Sequence, residues 1–404
     1  MDERFPAVIS KRKKEAPSCL VCVLLCEFKE GEIRFAVGNN ENLKGFANLF
    51  RGDQCSYLIG KPKLFFIQEK EPVDIIAGGA VAQEPTPKKI PVEADFLYCH
   101  GFPPKGFVSH RHRKNGSYFI QKVCDTFMKD FKSESRPDIL RQLTRIHWEI
   151  SQKDIGVKGY KQIPCFQSTL NADFFWKKGG NEAAAKDPYI ITQRKLCIII
   201  NIKGSKEDTS TVENAYVPWW NEYFKGFEIN EKTCTSFSET KMFLTKVISK
   251  RKKEAPSCLV CVLLCEFKEG EIRFAVGNNE NLKGFANLFR GDQCSYLIGK
   301  PKLFFIQEKK RVDIRAGGAE AEKRAPKKFT PNKIPVEADF LYCHGFPPKG
   351  QSQRSLIDAL VCTREDMNLE FTQILTKTLG EMNGKEQGGY IISTLTKELY
   401  LPRN

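Results

Sequence analysis

Cysteine is the residue type in this chain best able to do chemistry. Fifteen are present, and two pairs stand at Cys-x-x-Cys spacing: Cys19 with Cys22, and Cys258 with Cys261. That spacing suits zinc, whose structural sites take four thiolate or imidazole ligands. Both pairs, however, lie inside the apolar run CLVCVLLC. Such a run reads as a strand, on which residues i and i+3 point to opposite faces. The pattern predicts small buried hydrophobes rather than ligands. His110 and His112 have no cysteine at ligand spacing. We therefore expect no metal and no cofactor. The cysteine count is odd and the opening residues MDERFPAVISKRKKEAP carry no apolar secretory segment, so free thiols in a reducing compartment are expected.

The residues that would position such groups fall into alternating short apolar runs and periodic stretches. KLCIIINI (195–202), LVCVLLCEF (20–28), KLFFIQ (63–68) and DFLYCH (95–100) are rich in β-branched and aromatic residues. They predict buried strands of a mainly parallel sheet. SYFIQKVCDTFMKDF (117–131) sets Phe119, Val123, Phe127 and Phe131 about one helical turn apart, and DILRQLTRIHWEI (138–150) does the same with Ile139, Leu143, Ile146 and Ile150. Strands alternating with helices indicate an α/β sandwich with helices on both faces of the sheet.

The bulk composition agrees. Hydrophobic residues make up 41% of the 404 and charged residues 28%, a mixture that builds real cores. No run of 18 apolar residues occurs, so no membrane partner is expected. The net charge of +15 comes without a nucleic-acid-binding motif and reads as a lysine-rich surface; no nucleic acid partner is expected. The expected location is the cytoplasm. The runs KRKK at 11–14 and 250–253 add the nucleus as a second one.

A duplication organises the chain. The 63 residues Val8–Lys70 recur unchanged at Val247–Lys309, and KIPVEADFLYCHGFPPKG begins at Lys89 and again at Lys333. A period this long marks a duplicated domain, not a solenoid. Residues 187–246 precede the second copy and have no counterpart before the first. We divide the chain into a first unit (1–178, with parts 8–70 and 88–176), a linker (179–186) and a second unit (187–404, with parts 187–309 and 333–404). The first unit should lack a central strand, KLCIIINI, and expose an apolar face.

The segments NLFRGDQCSYLIGKPKLFFIQ, KIPVEADFLY, GSYFIQKVCDTF, ILRQLTR, KQIPCFQSTL and ISTLTKELYLP, in that order, resemble the executioner caspases. The resemblance implies a caspase-like three-layer sandwich, a mainly parallel six-stranded sheet with helices on both faces, present twice. It implies that 8–70 and 187–309 correspond to large subunits, and 88–176 and 333–404 to small subunits.

A caspase cuts after aspartate with a cysteine thiolate and a histidine. By the resemblance, the nucleophile position after KLFFIQ holds Lys70 and Lys309, and the histidine position after the VCVLL strand holds Glu27 and Glu266. The 43 residues from 27 to 70 approach the separation of about 50 in the family signature. Cys26 and Cys265 stand one residue away, but adjacent strand residues face opposite sides. The implied aspartate clamp is partial: Gln68 and Gln307 match its glutamine, and Ser109 with Arg111 match its small-subunit pattern without the tryptophan. Arg354 is a worn counterpart, and 203–215 contains no arginine. Asp74 and Asp313, the aspartates of the inter-subunit linkers, are each followed by isoleucine, where the family's processing sites favour a small residue.

The resemblance thus implies a pseudoenzyme that binds caspases or their regulators in apoptosis-related signalling. The alternatives are an active cysteine endopeptidase of the same family and a non-functional duplicated product. Caspases dimerise through the last small-subunit strand, represented here by KQIPCFQSTL (161–170) and YIISTLTKELYL (390–401). A linker of about 12 residues reaches at most about 40 Å, so the two strands are expected either to pair internally, as a monomeric pseudo-dimer, or to capture other caspases.

Overall fold

A computed structural model describes residues 18–26, 28–29, 32–33, 41–42, 46–47, 49–51, 54–55, 58–69, 95–101, 111–112, 116–132, 137–153, 162–175, 188–204, 216–251, 254–268, 271–308, 338–346, 355–363, 369–384 and 388–401.

The second unit contains the complete pattern. Its strands are β5 (Lys195–Ile202), β6 (Glu228–Cys234), β7 (Cys258–Lys268), β10 (Lys302–Glu308), β11 (Phe340–Phe346) and β12 (Gly388–Ser393). A hairpin of β8 (Glu271–Arg273) and β9 (Glu280–Asn281) extends β7. The first unit supplies β1 (Leu20–Cys26), β2 (Lys63–Glu69), β3 (Phe96–His100) and β4 (Cys165–Ser168). Together they form one twelve-stranded sheet whose main path runs β1-β2-β3-β4-β12-β11-β10-β7-β5-β6. Pairing is parallel from β1 to β3 and from β11 to β6, and antiparallel at β3–β4, β4–β12 and β12–β11. The expected six-stranded sheet is therefore present in the second unit. The first unit contributes four strands, and the two halves merge.

The helices are α1 (Tyr118–Lys132), α2 (Ile139–Gln152), α3 (Tyr216–Tyr223), α4 (Phe237–Ser249), α5 (Leu282–Asn287), α6 (Ser355–Cys362) and α7 (Phe371–Gly384). The helical periodicity holds in α2, where Ile139, Leu143, Ile146 and Ile150 are buried; in α1 Phe119 and Val123 are buried and Phe127 half-buried, and the Phe131 side chain lies outside the described residues. Asp138 caps α2, accepting from Leu140 N at 2.9 Å. Alternation divides β7 between the two faces. Cys258, Val260, Val262 and Leu264 join one cluster, which continues through Phe66, Leu97 and Leu143 of the first unit. Leu259, Cys261, Leu263 and Cys265 join another, under Leu244, Val247 and Ile248 of α4.

Each unit anchors the start of a central strand with a buried lysine. Lys302 Nζ donates to Leu297 O (3.2 Å) and Lys300 O (2.8 Å) and sits 4.8 Å from the Phe340 ring centre. Lys63 repeats this with Leu58 O (3.1 Å), Lys61 O (2.7 Å) and Phe96 (4.8 Å). Burial pushes the Lys302 ammonium down to about 8, against the attraction of Asp339.

The two small-subunit segments pair, but more briefly than expected. Ile391, Ile392 and Ser393 lie opposite Ser168, Gln167 and Phe166. The strand inside 390–401 ends at Ser393; beyond it Thr394 stays bonded to β11, its N–H donating to Phe340 O and its hydroxyl accepting from Phe340 N. Leu395, Leu399 and Leu401 then bury into the core instead of extending the edge.

Candidate functional site

The parallel strands β5, β7 and β10 end together, and the groups with catalytic potential lie at those ends, as in open α/β sheets generally. Glu266 follows the last fully buried residue of β7, Cys265, and is itself half-buried. There β7 has begun its antiparallel pairing with β8, with Glu266 opposite Arg273. The Glu266 carboxylate leans on the end of β5: a Cβ built on Gly204 would come within 2.6 Å of its Oε2. Glycine at 204 thus leaves room for a side chain longer than the strand interior carries.

Gln307, near the end of β10, lies between Leu264 of β7 and Gly345 of β11. It is buried, and its Oε1 has no hydrogen-bond partner among the described residues. A buried amide oxygen without a donor carries a desolvation penalty. The structure thus brings two of the sequence-derived residues, Glu266 and Gln307, to one end of one sheet. Glu308, which lies opposite Cys265 in the register, is the last described residue of β10.

Of the remaining positions, Glu27, Lys70, Lys309, Ser109 and Arg354 lie outside the described residues. Gln68 is placed by its backbone alone, opposite Leu25 in β1. The backbone of Arg111 forms a two-residue strand with His112, Arg111 lying opposite Ser117. Side-chain placement for Gln68 and Arg111 lies outside the description, as do His110, Asp74 and Asp313.

Most of the described cysteines are packing residues, but Cys19 and Cys22 are half-buried rather than buried as expected, and Cys124 and Cys362 are exposed. Cys265 is buried in the cluster under α4, on the face opposite Val262 and Leu264. Its thiol therefore points away from the side of β7 that Glu266 would share with those residues. Cys258 and Cys261 occupy opposite faces. Burial pushes the Cys258 thiol up to about 12 and raises that of Cys261 further. Among the described residues no group of three His, Cys, Asp or Glu side chains is placed to hold a metal.

Sequence reasoning missed the polar network between the units. Arg141 of α2 donates to Glu398 at 3.0 Å, and both are buried. His147 Nδ1 lies 3.1 Å from Leu395 O, and burial holds its imidazole down at about 4. Gly380 of α7 approaches Asn171 so closely that a Cβ would lie 2.5 Å from its carbonyl oxygen. The signal available in sequence was His147, which borders the apolar stripe of α2; Arg141 falls on the opposite side of that helix and gave none.

Comparison with known proteins agrees with this geometry. A family model described as the caspase domain matches residues 1–175 and 194–400. Over 175 residues, 42% of this chain, the sequence is 38% identical to caspase-3 of Bos taurus, of which 63% is covered. Caspase-3 of Mesocricetus auratus is 36% identical over 177 residues, 41% of this chain and 62% of that protein. Caspase-3 of Mus musculus is 34% identical over 178 residues, 42% of this chain and 62% of that protein. The chain spans a little over six tenths of the length of these curated relatives. With its caspase domain matched in two successive stretches and a sheet of parallel strands ending at Glu266 and Gln307, this chain belongs to the caspase family.

Proposed function

We propose that this chain is a caspase-like pseudoenzyme that does not cut peptides and acts by binding caspases or their regulators in apoptosis-related signalling. The observation that carries the proposal is the end of β7. Where the family resemblance calls for histidine stands Glu266, leaning on Gly204, and the neighbouring Cys265 thiol is buried on the other face. The nucleophile position holds Lys309 in one copy and Lys70 in the other. An amine there is not a thiolate.

The antiparallel contact of Ile391–Ser393 with Phe166–Ser168 supports an internal pseudo-dimer. In that reading the small-subunit strands are satisfied within the chain, so a caspase or regulator engages by exchanging with one of them or by using another surface. The cytoplasm is the proposed site of action, with the nucleus second.

The test is a peptidase assay on the purified full chain with peptides ending in aspartate, repeated with a cysteine-directed aspartyl inhibitor. No hydrolysis is expected. Hydrolysis that the inhibitor abolishes would identify an active cysteine endopeptidase and overturn the proposal. Mixing the chain with an active caspase tests the second half. A complex or altered caspase turnover is expected, and neither appearing refutes the binding role while leaving catalytic silence intact.

A further inference from the structure

We propose that two copies of this chain associate edge to edge, through antiparallel pairing of β1 with β1 across a two-fold axis.

The duplicated sequence provides its own control. In the second unit, Cys258–Leu264 pairs on one side with Lys195–Asn201 of β5 and on the other with β10. In the first unit the same residues form β1, whose strand neighbour among the described residues is β2 alone, from Leu20 opposite Lys63 to Cys26 opposite Glu69. A sequence built for the middle of a sheet therefore lies at its end. Val260 and Val262 are fully buried, but their twins Val21 and Val23 are 45% and 51% exposed. An edge strand of this kind presents a row of backbone donors and acceptors and templates the addition of another strand.

The two ends of the sheet differ in how they are guarded. β6, at the far end, reads EINEKTC. Its Glu228 pairs with Arg251, and its Lys232 lies 2.9 Å from Glu239. Charges on an edge strand oppose edge-to-edge addition. β1 reads LVCVLLC and carries none. A head-to-tail contact of β1 with β6 would pair an apolar strand with a charged one and run on without closing. A contact of β1 with itself closes at two copies.

The occupant is a second copy for two further reasons. First, β5, which fills this place in the second unit, is already paired on both sides, so the chain holds no free strand of that type among its described residues. Second, the charge pattern suits self-pairing. An uncharged strand sets no like charges opposite one another.

The experiment is light scattering on the full chain at tens of micromolar, beside the double variant Val21→Lys/Val23→Lys. Both valines are exposed, so lysines there reach solvent without disturbing the core, and circular dichroism checks that the fold persists. The natural chain is expected to show twice the 46.1 kDa of one chain, and the variant to dissociate at least about tenfold more readily. The peptide Arg194–Lys203, which imitates β5, is expected to compete and return the natural chain to single copies. A natural chain that stays single, or a dimer that the lysines and the peptide both leave intact, overturns the proposal. Chains that are already single before the peptide is added, and then each bind one peptide, would show an edge that takes a foreign strand, which also overturns self-pairing.

Discussion

Replacing Val262 by alanine should destabilise the protein several times more than replacing Val23, although both sit at the same place in an identical 63-residue sequence. Val262 is fully buried, between Ile199 of β5 and Phe305 of β10 in the register, and shares a cluster with Trp220, Tyr223 and Phe224. Removing two buried methyl-sized groups loses about 1.6 kcal/mol of transfer free energy, and the cavity raises this to about 2–3 kcal/mol. Val23 faces Phe66 in β2 and is 51% exposed. The counterparts of β5 and α3 are missing from its unit, so truncation opens no closed cavity and forfeits about half the transfer term, roughly 0.5–1 kcal/mol. Pairing with a second copy would add a strand beside Val23 but no layer above it. Hydrogen exchange read by mass spectrometry suits the test, because each substitution lightens one of two otherwise identical peptides and so separates the copies. The comparison does not rely on a 404-residue chain unfolding in two states. Residues 259–265 should also exchange more slowly than 20–26. Equal loss of protection for Val262→Ala and Val23→Ala would refute the reasoning.

Two further predictions concern the junction between units. Arg141→Met strands the buried Glu398 carboxylate and should destabilise by about 3–5 kcal/mol, with part of the loss recovered in Arg141→Met/Glu398→Gln; urea titration of the two variants measures it, and a loss below about 1 kcal/mol would show that the pair does not hold the junction. Asp138 is the other case: burial, then the neighbouring Asp173, raises its carboxyl from 3.8 to about 7. A raised carboxyl contributes stability that is complete below about pH 4 and is lost as pH rises through about 7, at roughly 1.4 kcal/mol per pKa unit. Asp138→Asn keeps a good helix cap and should flatten thermal stability between pH 4 and 7 while raising it at pH 8; an unchanged pH profile would count against it.

The strands and helices were legible where pattern and packing agree. The eight residues of KLCIIINI are all buried, as an uninterrupted apolar run requires, and α2 buries Ile139, Leu143, Ile146 and Ile150 as its period demands. The end of the chain was less legible. Tyr390–Leu401 alternates well enough to pass for one long strand, yet the strand ends at Ser393, and Leu395, Leu399 and Leu401 are buried in the core. A charge at Leu395 would consequently perturb the core rather than an edge. At the candidate site, Glu266 and Gln307 were legible through the resemblance to the caspases, which singles out the residue after CVLLC and the glutamine of KLFFIQ. The unpartnered Oε1 of Gln307 was not, because satisfaction of a buried amide depends on neighbours from other strands.

The duplication shows why fold and chemistry can part company in this chain. Within β7 every residue from Cys258 to Cys265 is buried by neighbours on both faces, and substitution there would disturb packing. Glu266 is the first residue beyond that stretch, and it is half-exposed. On the function proposed above, a side chain at this point can change type without touching either cluster, so the sheet would survive a change that removes a catalytic group. The converse holds in the first unit. β1 keeps the strand sequence unchanged, yet among the described residues no strand pairs with its outer side as β5 does with β7, and Val21 and Val23 are exposed. Burial is therefore a property of the neighbours, whereas catalytic capacity here is a property of the residue at the strand end. A short, conservative-looking stretch such as LVCVLLCE carries information about neither until the strand beside it and the residue after it are known.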